Sequence, residues 1–431
     1  MSETPNKEEA KRIRRSAYRW NTASGMFMAF QSVIMLMVIA RACDVQTAGV
    51  FTIAYANASL FLYVGKYGMR RFQVSDRNGQ FSFGDYRVSR IVTDAAMLIS
   101  GGIFLAYAAT VNGYTVEKTA IMAFMVVFKF IDCSEDVYMG RYQQLDRLDV
   151  GARVLTIRMI TTIGLFAALV AIMANLLWPL VIATAYTACF YIAEVFYIKR
   201  KYGMPGESPR PTARNVGKLL FSCFPLFAAT FLLFYIGNAP KYAIDAMMSS
   251  ADQAYYGYIA MPSFVVTLLA GFVYNPIITS LTDNWLEGKV KRFLKRFAKL
   301  ALVIIGLTAV CDLAAWIAGV PVLDLLYAAD TGPYLGELIL QVTGGGFLAL
   351  TTLAVLGITI IRFQRVLVPV YAVVSIAAWF IANWAVAQWG ITGAAWTYFI
   401  SMVLLSIIFT GCFILGTRLL RSSVKGGTHE S

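Results

Sequence analysis

Lys129, Asp132, Cys133, Glu135 and Asp136 are the residues whose types and spacing promise chemistry; they follow the apolar run Ile121–Phe128 and precede Gly140 and Arg141. Positions 129, 132, 133, 136 and 140 keep the i, i+3, i+4, i+7 spacing that places side chains on one helix face. A charge at the centre of a membrane-spanning helix costs about 2.5–3.5 kcal/mol on insertion scales, so this face must meet a wet cavity or charged partners. Two readings stay open: a path for a polar substrate or ion, and an ion-pair stripe that ties two helices together. Arg158 is the expected partner. It lies seven residues past Gly151, about 10 Å deep at 1.5 Å per residue. Two antiparallel helices turning near Leu145 bring it level with Asp132 and Cys133. Its guanidinium suits a carboxylate, and equally matches two phosphate oxygens at once, which an ammonium does not.

Other polar groups interrupt apolar stretches more sparsely. Asn238 to Asp245 holds Lys241 and Asp245 as i, i+4 neighbours, with Pro240 just before them expected to disturb the helix. Gly344-Gly345-Gly346 permits either close packing or a bend. Glu194 and Asp312 are lone acids near the ends of their apolar segments, placed to couple an ion or to snorkel. The single histidine, His429, is in the polar tail, which excludes histidine-dependent catalysis or metal binding within the membrane. The six cysteines (43, 133, 189, 223, 311 and 412) contain no C-x-x-C pair and form no metal or disulfide pattern, so no cofactor is expected.

The elements that must position these residues are transmembrane helices. The chain is 58% hydrophobic and 14% charged, with mean hydropathy +0.64; soluble domains are about 45–50% apolar and about 25% charged. Apolar runs predict twelve spans: 20–40, 47–64, 89–111, 118–139, 152–174, 177–198, 216–237, 255–280, 297–318, 338–361, 366–387 and 392–417. The fold class is therefore all-α and polytopic. With the N-terminus inside, 32 of the 37 Lys and Arg fall in cytoplasmic segments. Outer loops hold Arg41, Lys118 and Lys241, while Lys129 and Arg158 lie within spans. This distribution follows the positive-inside rule and predicts both termini cytoplasmic. The net charge of +13 thus reflects membrane flanks rather than a nucleic-acid partner. Tyr18, Trp20, Trp178, Trp285 and Trp316 sit at span ends as interface anchors. The first apolar stretch runs through Ala40 without a small-residue cleavage site and reads as a permanent anchor.

All connecting loops are short, which leaves no soluble catalytic domain and argues against an enzyme. The longest polar linker, Lys199–Lys218 with Pro205, Pro209 and Pro211, divides the chain into two sets of six spans, 1–213 and 214–431. A faint repeat relates them: Ala48–Ala54 opens span 2 much as Gln253–Ile259 opens span 8, at an offset of 205. Facing repeats are a common transporter plan.

The chain resembles the polysaccharide-export, Wzx-type O-antigen flippase branch of the multidrug/oligosaccharidyl-lipid/polysaccharide (MOP) exporter superfamily. The resemblance covers nearly the whole chain. It rests on Arg41 with Ala48-Gly49, on Tyr67-Gly68-Met69-Arg70-Arg71-Phe72-Gln73-Val74-Ser75-Asp76, and on Phe83-Gly84-Asp85-Tyr86. It continues in Asp132, Asp136-Val137-Tyr138, Gly140, Gln143, Arg147, Asp149, Asn238 to Asp245 and Gln253-Ala254-Tyr255-Tyr256. Glu135 departs from the serine expected before Asp136. The resemblance implies two six-helix lobes in a V and a lipid-linked, undecaprenyl-pyrophosphate-type oligosaccharide as cargo. It also implies the bacterial cytoplasmic membrane as location, with membrane lipids and polysaccharide-assembly proteins as partners. On this reading Arg41, Lys129, Arg158 and Lys241 contact phosphate, with Asp132, Asp136 and Asp245 as their ion-pair supports.

Three other classes compete. A drug/cation antiporter of the same superfamily shares the fold but relies on acidic cavity residues, whereas span 4 mixes signs. A major-facilitator transporter is suggested by Asp76-Arg77-Asn78-Gly79, yet Phe72 and Gln80 break that loop signature. A membrane-embedded polymerase or ligase needs a large outer loop with catalytic Arg or His, and none is present.

Overall fold

The computed structural model describes residues 7–76, 79–202 and 211–426, and among these every regular element is helical. Pro205, Pro209, Arg77, Asn78 and His429 lie outside the described residues. The chain forms two compact units, Met1–Phe231 and Leu232–Ser431.

The first unit contains α1 (Lys7–Ala42), α2 (Val45–Lys66), the short α3 (Met69–Ser75), α4 (Phe83–Val111), α5 (Val116–Gln144), α6 (Leu148–Met173) and α7 (Leu177–Tyr202). The chain passes into the second unit through α8 (Ala213–Met247). Helix starts carry the expected caps. Asp44 accepts the Thr47 N–H before α2, Thr115 that of Lys118 before α5, and Ser82 with Asp85 completes a capping box before α4. α1 packs on α6, α5 on α2, α4 and α7, and α3 docks against α5. Met69, Phe83, Tyr86, Tyr138, Tyr142 and Met159 are buried together at the core of this unit. The opposite face of α4 exposes Ile91, Ile99, Ile103 and Tyr107, an apolar stripe suited to lipid.

In the second unit, α9 (Ser250–Ala260), α10 (Pro262–Tyr274) and α11 (Ile278–Leu286) make one interrupted span, with breaks at Pro262 and at the 3-10 turn Asn275–Ile277. α12 (Val290–Ala314) continues through a π-helical turn, Ala315–Gly319, into α13 (Val320–Tyr327). α14 (Leu335–Ile360) packs against α10, α12 and the sixty-residue run α15 (Leu367–Gly426). That run is broken at Gly390 (φ 55°, ψ −128°), a left-handed φ that favours glycine. A Cβ at Gly393 would collide with the Ala385 carbonyl; a straight helix would hold residues so spaced about 12 Å apart, so the chain turns back here.

Ten stretches among the described residues are long and apolar enough to cross a membrane. The tenth, Gln364–Leu419, contains the Gly390 break and comprises two helices. α5 spans 29 residues but carries too many charges to count by composition. With α5 included and α15 divided, the stretches number twelve and fall where the apolar runs place them. The repeat begins at matching helix starts, because the N-caps Asp44 and Ser249 stand 205 residues apart, as do Val45 and Ser250. One local expectation is corrected. Pro240 does not interrupt its helix, since α8 runs unbroken from Ala213 to Met247; a proline removes one donor, which transmembrane helices tolerate. The segment between spans 2 and 3 holds the short helix α3.

Candidate functional site

The polar residues of the first unit gather into two adjoining networks centred on α5. In the first, Lys129 Nζ donates to Gln31 Oε1 of α1 (2.7 Å), to the Tyr55 hydroxyl of α2 (3.0 Å) and to Asp132 Oδ2 (3.2 Å). Its ammonium also lies 4.4 Å from the Tyr55 ring centroid, a favourable cation–π placement. Arg158 Nη2, from α6, donates to Asp132 Oδ1 at 2.7 Å and to Glu135 Oε2 at 2.5 Å. Arg158 is 1% exposed and Lys129 4%. Two cations therefore meet two carboxylates away from solvent, which is the condition for burying charge at tolerable cost.

In the second network Arg90 of α4 is the hub. Its Nη2 donates to Asp136 Oδ2 (3.1 Å), and its Nη1 donates to the Gly65 carbonyl and to Cys133 Sγ (3.4 Å). A Cβ on Gly65 would strike Cys133, so glycine allows α2 and α5 to approach around this group. Asp94, one turn along α4, accepts from Cys133 Sγ (2.9 Å) and Ser134 Oγ (2.7 Å). On its other side Asp136 meets Arg70 Nη1 of α3 at 3.6 Å. α3 is itself fastened to α5: Gln73 Nε2 donates to the Val137 carbonyl (3.3 Å), Gln144 Nε2 donates to the Gln73 carbonyl (2.7 Å), and the Gln73 amide fills the space a Cβ at Gly140 would need.

Lys129, Asp132 and Arg158 are thus brought together at the expected depth. Asp136 is not with them. It shares their helix face, but Arg90 and Arg70 on α4 and α3 capture it, which corrects the expectation that it supports Lys129 or Arg158. Arg90, which follows the basic loop before span 3, is 2% exposed inside the unit. Glu194 of α7 does not snorkel: it is buried beside Glu135. Asp312 is half-buried and accepts from Thr343 Oγ1 at 3.1 Å. Arg41 is exposed in the last turn of α1, about 15 Å along the helix from Gln31. Lys241 and Asp245 belong to the second unit, both half-buried on α8; among the described residues Lys241 makes no hydrogen bond or ion pair.

The glycine run of α14 proves to be a packing device. Added Cβ atoms at Gly344, Gly345 and Gly346 would meet Tyr398, the Ser263 backbone and Thr308 respectively, and α14 passes through them without a break.

No protein-family model and no curated protein matches the chain by sequence. Solved structures do match along nearly its full length. The lipid II flippase MurJ, in an inward closed conformation, superposes with TM-score 0.68 at 11% identity, covering 93% of this chain and 92% of that one. An inward-facing multidrug resistance MATE family transporter of the MOP superfamily gives 0.64 at 11% identity, over 92% and 96%. A MOP superfamily transporter from Pyrococcus furiosus, for which reversed binding-pocket polarity suggests a different function, gives 0.55 at 14% identity, over 96% and 97%. At such identities the likeness defines the fold: this is a multi-pass membrane protein with the all-helical architecture of MATE/MOP transporters.

Proposed function

We propose that the chain is a flippase that moves a lipid-linked oligosaccharide, of undecaprenyl-pyrophosphate type, across the cytoplasmic membrane for surface polysaccharide assembly. The observation that carries this reading is the buried network of mixed sign in the first unit, where Lys129 and Arg158 sit among carboxylates on a fold also used by the lipid II flippase MurJ. A sugar headgroup cannot shed its water in hydrocarbon without polar partners, and its diphosphate calls for cations. Lys129 and Arg158 hold phosphate oxygens when Asp132 and Glu135 turn aside, and return to those carboxylates when cargo leaves. Arg41 and Lys241 serve the same anion elsewhere along its path, with Asp245 beside Lys241. Asp136 acts indirectly, fixing α5 against α4 through Arg90. The working topology has twelve spans in two six-helix lobes, 1–213 and 214–431, with both termini in the cytoplasm, next to the enzymes that assemble the cargo.

A drug or cation antiporter is the second reading, favoured by the MATE likeness and by the buried acid Glu194. Deletion of the gene separates the classes. The flippase reading expects lipid-linked oligosaccharide trapped on the cytoplasmic leaflet and surface polysaccharide missing. Intact surface polysaccharide with altered drug tolerance selects the antiporter. Single repeats that reach the outer face but are not elongated select a polymerase.

A further inference from the structure

Glu194 is 5% exposed, and neither of its carboxyl oxygens has a hydrogen-bond donor. It lies against Glu135, whose Oε1 is likewise without a donor while its Oε2 accepts from Arg158. The facing groups are few. Arg158 approaches from α6 and Glu135 from α5, Tyr191 lies one turn back on α7 with the Tyr138 ring of α5 against its own, and Asp94 of α4 adds a more distant charge. Asp132 and Lys129 close the network beyond Arg158.

Charge balance then decides what Glu194 needs. Lys129 and Arg158 already offset Asp132 and Glu135. An ionised Glu194 would add a third buried negative charge with nothing to donate to it, a costly arrangement. A proton on Glu194 removes the excess charge, and its O–H supplies the donor that Glu135 Oε1 lacks. We propose that Glu194 is a proton-binding site, its proton hydrogen-bonded to Glu135, and that release of this proton drives the transport cycle by redirecting Arg158. With the proton gone, Glu194 competes with Asp132 for the guanidinium. Arg158 shifts toward α7, and Asp132 is left to Lys129. The reaction is a simple ionisation: the Glu194 O–H bond breaks, the electron pair stays on its carboxylate, and the proton leaves to water. The proposal rests on the reading of the chain as a transporter but not on the identity of the cargo.

The test is infrared spectroscopy of the purified full-length protein in lipid vesicles without cargo. The wild type should show the C=O stretch of a buried carboxylic acid at neutral pH, and this band should disappear on alkaline titration. Glu194→Gln should lose the band and Glu194→Asp should shift it. A wild-type spectrum without such a band, or a band unchanged in Glu194→Gln, overturns the assignment. Loss of the band on adding sodium at constant pH also overturns it, in favour of a cation site. Absence of the band in the wild type decides against the site even if the variants fold poorly. In the same vesicles loaded with lipid-linked oligosaccharide, a tenfold proton gradient should speed translocation several-fold in the wild type and not in Glu194→Gln. A wild type that moves no oligosaccharide with or without the gradient defeats the flippase reading and leaves the infrared result standing. Equal stimulation in Glu194→Gln defeats the coupling.

Discussion

Replacing Arg158 tests how the buried network is held. Asp132 Oδ1 and Glu135 Oε2 both depend on a single atom, Arg158 Nη2, at 2.7 and 2.5 Å. Arg158→Ala strands them, and removing one partner of a buried ion pair costs about 3–5 kcal/mol. Asp132 keeps Lys129 at 3.2 Å, so the loss falls mainly on Glu135. Arg158→Lys retains a cation of slightly shorter reach. Because one nitrogen serves both acids, an ammonium can keep at least one of two charge-assisted hydrogen bonds, each about 1.5–3 kcal/mol, and the variant should lose no more than one of them. A difference of about 2 kcal/mol corresponds to roughly 30-fold in the unfolded fraction. Thermal unfolding of the detergent-purified proteins and membrane abundance should therefore rank wild type, then Arg158→Lys, then Arg158→Ala. Glu135→Gln added to Arg158→Leu removes an acid together with its cation, leaves the Lys129–Asp132 pair, and should recover stability relative to Arg158→Leu alone. A simple exchange of Asp132 and Arg158 should fail, because the new carboxylate at 158 would face Glu135. Arg158→Ala as heat-stable as the wild type, or a double variant worse than Arg158→Leu, would refute the reasoning. If the guanidinium grips phosphate through its fork, Arg158→Lys should also transport less than its abundance allows.

Three further outcomes are expected. Arg90→Leu should lower the unfolding temperature more than Arg70→Leu, since Arg90 is buried among Asp136, Cys133 and the Gly65 carbonyl whereas Arg70 is partly exposed and 3.6 Å from its acid; equal shifts would contradict this. Gly345→Ala should cost about 1–3 kcal/mol by overpacking against the Ser263 backbone, whereas Gly306→Ala, with open space around it, should be neutral or better in the same thermal scan. The hydrogen bonds from Thr47 hold the Asp44 carboxyl below its ordinary value. Its cap contribution is therefore present at neutral pH and lost as pH falls below the usual carboxylate range. Asp44→Ala should cost about 1 kcal/mol at neutral pH, with the gap to wild type closing in acid.

The spans were legible because burial in lipid requires long apolar runs whatever the tertiary contacts. The exception, α5, was legible by its charges for the same reason. Arg158 and Asp132 were paired from sequence because a short antiparallel turn near Leu145 fixes relative depth. Glu135 could have been included, since it stands i+3 from Asp132, but the face drawn through Asp136 passed it over. Arg90 was not legible. It follows a basic loop, so a topology count assigns it to water, and its burial depends on Gly65 of α2 and Asp136 of α5, distant in sequence. Asp136 was assigned to the wrong cation for the same reason: helix periodicity gives a face, not the neighbour that competes for it. Glu194 looked like a span-end acid because nothing local shows that α7 turns it toward α5.

The leaflet on which the cargo is exposed decides whether the chain acts as a flippase. Everted and right-side-out membrane vesicles from a deletion strain, and from the same strain carrying the wild-type gene, should be probed with a lectin or a membrane-impermeant oxidant that reads leaflet exposure. Lipid-linked oligosaccharide should be reached only from the cytoplasmic face in the deletion strain, and from the outer face once the gene is restored. Cargo exposed on the outer leaflet without the protein would contradict the flippase reading.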